Sequence, residues 1–229
     1  MGRWLTLPAV ALLAALAAAP ASATNMVTSS SLSRAQPEGA SASAAITVFT
    51  VDGTPFPTRI DVFIGDSGRL TLVSPEGITA PTSPTGICTQ DTPTQVSCNP
   101  GVIGAIAGDL EGGSDTFTAD PTLTVAIGME AAGVDNPLLG SGGRDRIIGG
   151  AASDLIHGGP NADSIEGNGA TDVLRGEAGR DDLSGGAAPD ALFGGAGPDK
   201  LNGGAGRDLC SGGGGVDAAK SCTVRKNIP

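Results

Sequence analysis

Tyrosine is absent from the 229 residues of this chain, and tryptophan occurs once, at Trp4. Five phenylalanines complete the aromatic content. Aromatic side chains bury the most apolar area per residue, so a chain this poor in them cannot build a conventional thick core. Histidine is as scarce, with His157 alone. That excludes an H-E-x-x-H zinc helix. The nearest approach to a G-x-S-x-G elbow, GDSGR around Ser67, lacks the last glycine and a matching histidine. Stretches such as GSGGRD mimic a dinucleotide fingerprint, but they recur every nine residues and open no helix. Positive charge is short too: 13 Lys and Arg face 24 Asp and Glu, a net charge of −11. Such a chain has no electrostatic affinity for nucleic acid or anionic lipid, and it attracts cations. No catalytic residue, and no enzyme, is expected. A carboxylate-only site would have to use Asp52, Asp61 or Asp66.

Only one run is long and apolar, from Leu5 to Ala19, after Arg3 and before the small residues Ala21 and Ala23. This is the pattern of a secretory signal, residues 1–23, cleaved after Ala23. It is short for a bilayer span, and no later segment could form one. The expected mature chain is secreted and has no transmembrane segment. Its net charge is −12, because Arg3 leaves with the signal.

Residues 24–44 are rich in Ser, Thr and Ala without a period and read as a flexible linker. From Ala45 the texture changes. AITVFTVDG, RIDVFIGDSGRLTLVS and TLTVAIG alternate apolar and polar residues between turn formers, which predicts strands through 45–130. The four cysteines, Cys88, Cys98, Cys210 and Cys222, allow three pairings. Local pairing, Cys88–Cys98 and Cys210–Cys222, is expected because each pair sits in its own region. A zinc site is the alternative, against which the long spacings and the remoteness of His157 count.

Glycine is in excess, with 37 residues against a usual share of ~7%. From Gly140 it is periodic. Cut every nine residues, the chain reads GSGGRDRII, GGAASDLIH, GGPNADSIE, GNGATDVLR, GEAGRDDLS, GGAAPDALF, GGAGPDKLN, GGAGRDLCS, GGGGVDAAK. The sixth position is always aspartate: Asp145, Asp154, Asp163, Asp172, Asp181, Asp190, Asp199, Asp208 and Asp217. The eighth is Ile147, Ile156, Ile165, Leu174, Leu183, Leu192, Leu201, Cys210 and Ala219. Fainter copies lie upstream, around Asp115 with Phe117 and around Asp135 with one extra residue. The β-rich region and the repeats are therefore candidates for one continuous stack.

The pattern G-G-x-G-x-D-x-U-x, where U is a large apolar residue, resembles the RTX, or haemolysin-type, calcium-binding repeat from Gly140 to about Lys220. The resemblance implies an all-β protein: a right-handed parallel β-roll over 131–220, preceded by the β-rich 45–130 and closed by a cap at 221–229. It implies two units per coil, each with a six-residue turn that holds Ca²⁺ and a three-residue strand. The nine aspartates are then metal ligands, and calcium ions are the partner. Residue chemistry agrees, since ionised Asp supplies acceptor oxygens of the kind Ca²⁺ takes. Units eighteen residues apart stack, so Asp145, Asp163, Asp181, Asp199 and Asp217 form one column and the other four a second. The gaps within the columns set a ceiling of about seven ions.

The units are unequal. Ala152, Asn161, Ala170 and Ala188 replace the fourth glycine, and Asn168 and Glu177 the second. Sites of the middle units are expected to be weaker than those from 194 onward. Arg144, Arg180 and Arg207, beside their aspartates, and His157, at an outward position, are expected to be solvated. The N-terminal signal departs from the family members exported by an uncleaved C-terminal signal, so toxin activities are not carried over. The expected function is a secreted calcium-binding protein that folds on binding. The alternative is a Ca²⁺-stiffened adhesin or wall-associated protein with a cell-wall or polysaccharide partner. An extracellular hydrolase with these repeats as its tail ranks below both.

Overall fold

The computed structural model describes residues 25–27, 45–51, 59–75, 78–79, 88–99, 103–110, 116–131 and 137–228. The signal 1–23, the linker apart from Asn25–Val27, and Asp52, Asp115 and Asp135 lie outside the described residues. Asn25–Val27, within the stretch expected to be a linker, form a strand. Every described element is a strand.

Alternating residues explain the architecture. In the repeats the eighth residue points inward and its neighbours outward, as in Asp182–Ala187, where Leu183 and Gly185 are buried. The strands belong to two sheets. One stacks Arg146–Gly150, Ser164–Asn168, Asp182–Ala187, Lys200–Ala205 and Ala218–Lys220. The other stacks Leu155–Pro160, Val173–Ala178, Ala191–Ala196, Leu209–Gly214 and Val224–Lys226. The chain alternates between them, so pairing is parallel: Ile147 lies beside Ile165, Ile165 beside Leu183, and Leu183 beside Leu201. This is a parallel β-roll with eighteen residues per coil.

The strands are longer than the three residues expected. Lys200–Ala205 spans six, positions seven to nine plus the first three of the next unit. Identical glycine stretches in successive coils lie side by side and continue the ladder, as Gly186 with Gly204 and Ala187 with Ala205. Only positions four to six are left to turn the chain.

Both sheets continue upstream of the repeats. Ala126–Ala131 joins Arg146–Gly150 to Ile103–Leu110, which pairs with Ala45–Val51. In the other sheet, Arg59–Ile64, Thr116–Ala119 and Pro137–Leu139 lead in parallel to Leu155–Pro160. One column of buried side chains therefore runs Ile60, Phe117, Leu138, Ile156, Leu174, Leu192, Cys210. Beyond Arg59–Ile64 this sheet turns antiparallel through Leu70–Val73, Gln95–Cys98 and Cys88–Thr92.

All four cysteines are in disulfides, Cys88–Cys98 and Cys210–Cys222, so the zinc alternative falls. The second bridge ties the tail to the last complete coil. Val224 pairs with Leu209, a step of fifteen residues instead of eighteen, and Cys222 and Ile228 pack against the end of the core.

Candidate metal centre

All nine repeat aspartates are buried, with Asp217 the most accessible at 7%. A turn of three residues cannot satisfy its own backbone, and the aspartates supply the missing acceptors. The backbone N–H of Asp145 donates to Oδ1 of Asp163 (2.8 Å), that of Asp163 to Asp181 (2.9 Å), Asp181 to Asp199 (3.0 Å) and Asp199 to Asp217 (2.9 Å). In the second column Asp154 donates to Asp172 (2.8 Å), Asp172 to Asp190 (2.9 Å) and Asp190 to Asp208 (3.0 Å). The structure thus brings the nine residues together as two ladders eighteen residues in step.

The second carboxylate oxygen has a different fate. Oδ2 of Asp163, Asp172, Asp181, Asp190, Asp199, Asp208 and Asp217 is buried with no hydrogen-bond partner. Each repeat aspartate crowds the bare Cα of the first glycine in its own unit. A Cβ on Gly194 would collide with Asp199 Oδ2 and with the carbonyl oxygen of Gly212 in the next coil. Gly176 has the same relation to Asp181 and Gly194, and Gly185 to Asp190 and Gly203. A carboxylate oxygen and a carbonyl oxygen, both acceptors, therefore face the same small space. Such a pair needs a positive charge or a proton between its members.

A family model for the RTX calcium-binding nonapeptide repeat (4 copies) matches residues 133–165, 157–192 and 184–218. Residues 133–218 are RTX calcium-binding repeats. No curated protein and no solved structure matches the chain.

The donor set of the RTX roll suits a hard cation. Among the described residues no group of three or more His, Cys, Asp or Glu could hold a metal. The available oxygens are instead one carboxylate per half-coil and the main-chain carbonyls around it, a mixture that Ca²⁺ accepts. RTX repeats bind calcium, and this geometry fits that property.

From the third unit onward the RTX turn has left-handed backbone at two places, positions two and four. From Gly159 onward every second position has positive φ, including Asn168 (76°) and Glu177 (78°). From Asn161 onward every fourth position does too, including Ala170 (57°) and Ala188 (75°). The side-chain-bearing residues thus keep the turn's shape at some cost in strain.

Burial shifts the carboxyl groups. It pushes Asp163 up to about 9, opposed by the Asp145 N–H and reinforced by the charges of Asp145, Asp181 and Glu177. Asp172 and Asp181 rise to about 7, chiefly through burial. Burial also raises Asp190 and Asp199. Asp145 rises to about 6 because burial outweighs its donors from Ile127 and Ser141.

Asp145 stands apart from the other RTX aspartates. Its Oδ1 accepts from the Ile127 N–H (2.6 Å) and its Oδ2 from the Ser141 N–H (2.6 Å), with the Ser141 hydroxyl 3.3 Å from both. Ser141 also donates to the Val125 carbonyl (2.7 Å). Both ends of this carboxylate are thus occupied by the chain. Ser141 escaped the sequence reading, although its place at a glycine position was the visible signal.

Arg144, Arg180 and Arg207 are exposed. Arg144 and Arg180 line a groove over Asp145, Asp163 and Asp181. His157 binds Glu177 through Nδ1 (2.7 Å) on the outside of the roll.

Proposed function

We propose that the protein is a secreted calcium-binding protein whose ions lie between successive coils. The unpartnered Oδ2 atoms of Asp163, Asp172, Asp181, Asp190, Asp199, Asp208 and Asp217, each buried in its column, carry this reading. Asp154 is assigned to the second column by position alone, since its backbone N–H donates to Asp172 Oδ1. Asp145, expected as a ligand with the rest, heads the first column, where its oxygens also accept from the Ile127 and Ser141 N–H groups. Calcium bound there supplies the positive charge that the facing carboxylate and carbonyl oxygens require. The aspartates position themselves through Oδ1, and the first glycines admit the approach of Oδ2.

Without that charge the buried carboxylates oppose one another, so the roll is expected to fold on binding at extracellular calcium levels. Two disulfides accord with an oxidising compartment outside the cell. A non-enzymatic role is part of this proposal; the single histidine, His157, is engaged with Glu177 on the outside of the roll. Isothermal titration calorimetry with Ca²⁺, paired with far-UV circular dichroism in chelator and after calcium addition, tests the reading. Several ions bound with a gain of β signal supports it. A chain that binds no calcium overturns it.

A further inference from the structure

The last two aspartates of the roll, Asp208 and Asp217, have no complete coil beyond them. Their Oδ2 atoms are nevertheless buried and unpartnered, like those further up the columns. What faces them is the C-terminal tail. At Gly194 the facing carbonyl belongs to Gly212, the first glycine of the next coil. At Gly203 the same place is taken by the Ser221 carbonyl, beside Asp208 Oδ2. At Gly212 it is taken by the Asn227 carbonyl, beside Asp217 Oδ2.

Neither residue is a glycine, yet both are left-handed, with φ of 55° at Ser221 and 50° at Asn227. The tail reaches these places although it has lost the repeat. Its last coil is shortened, with Val224 beside Leu209. The Val224 N–H still donates to the Asp208 carbonyl (2.9 Å), as the Ala218 N–H does to Asp199 (2.8 Å). The Cys210–Cys222 bridge fixes the residue directly after Ser221 to the last buried rung. Ile228, directly after Asn227, packs on the core. Each carbonyl thus has an anchor one residue away.

We propose that the tail is part of the calcium-binding apparatus: the main-chain carbonyls of Ser221 and Asn227 complete the two terminal sites, with Asp208 and Asp217, and the Cys210–Cys222 bridge holds them there. This rests on the calcium reading above. It assigns ligands outside the nonapeptide pattern and couples the end sites to the redox state of the tail.

The test is calorimetric calcium stoichiometry on four oxidised proteins: the intact chain, Cys222→Ala, Asn227→Val and Asn227→Gly. Valine disfavours the left-handed backbone, and glycine adopts it freely. Cys222→Ala is expected to lose two ions and Asn227→Val one, while Asn227→Gly keeps the intact number. Circular dichroism at saturating calcium should show the roll folded in all four. Equal stoichiometry in all four overturns the assignment while leaving the calcium reading intact. An intact chain that binds none overturns the calcium reading itself. Should Cys222→Ala fail to fold, the Asn227 pair decides, because equal stoichiometry in Val and Gly variants overturns the role of Asn227.

Discussion

The backbone N–H of Asp181 donates to Oδ1 of Asp199, eighteen residues later, at 3.0 Å. The same contact recurs down both columns, so Asp163, Asp172, Asp181, Asp190, Asp199, Asp208 and Asp217 use their two oxygens differently. Their Oδ1 ties one coil to the previous one, and their Oδ2, buried without a hydrogen-bond partner, is the oxygen proposed to meet calcium. Substitutions can separate the two roles.

Asp181→Asn keeps Oδ1 and replaces Oδ2 with an amide donor facing the Gly194 carbonyl. Thermal unfolding in chelator should move up, and calcium stoichiometry should fall. Asp181→Ala removes the acceptor of the Asp163 N–H and should destabilise the calcium-loaded roll by ~1–3 kcal/mol. An Asn variant that behaves as Ala does would refute this division of labour.

The metal-free roll should prefer acid. Asp145, Asp172, Asp181 and Asp163 have folded values of about 6, 7, 7 and 9 against an ordinary 3.8. Between these limits the folded state binds more protons than the unfolded chain, so stability falls as pH rises. It is fully present below about pH 4 and lost progressively toward pH 9. Circular dichroism in chelator across this range should show β signal decreasing with pH. Calcium should reverse the trend, because binding requires ionised carboxylates. A metal-free signal that grows with pH would contradict the burial of these groups.

Glycine at position one is required for space, since no positive φ is recorded at Gly194. Gly194→Ala forces a Cβ into Asp199 Oδ2 and the Gly212 carbonyl, at a cost of ~3 kcal/mol. Gly214→Ala meets nothing within 4 Å and should change stability by less than ~0.5 kcal/mol. Chemical denaturation of the two variants in saturating calcium checks the contrast.

Ala188 holds φ at 75°, a conformation that costs a side-chain-bearing residue ~1–2 kcal/mol. Ala188→Gly relieves it but frees the unfolded chain, which removes ~0.4–1 kcal/mol of the gain. A net stabilisation of ~0.5–1 kcal/mol is expected, seen as a higher unfolding midpoint in calcium. A lower midpoint would mean that the alanine methyl contributes packing.

Much of this was legible because a strict period repeats each choice nine times. The inward Ile and Leu rungs and Phe117 as an upstream rung follow from spacing, and the two columns from the two units per coil that the RTX resemblance implies. Leu138 shows the limit: it is the rung beside Phe117 and Ile156, one residue later than the pattern around Asp135 suggests. Strand length was misread because the glycine triplets look like turn residues, and only their neighbours in the next coil make them strand. The role of Oδ1 was invisible, since nothing in one sequence says which N–H lacks an acceptor. Ser141 and Asn227 act through contacts with other coils, and no local motif records such contacts.

The shortened step from Leu209 to Val224 has a last consequence. A stack of like coils has no natural end, because each coil presents to the next the surface on which it was itself laid down. Duplicating a pair of units would lengthen such a molecule by one strand spacing, ~4.8 Å, and would leave it able to grow again. The tail breaks that symmetry. With three residues missing from its turn and a bridge where the next rung would form, its outer side no longer matches the template. The tail therefore sets the length of the molecule as a ruler's end does.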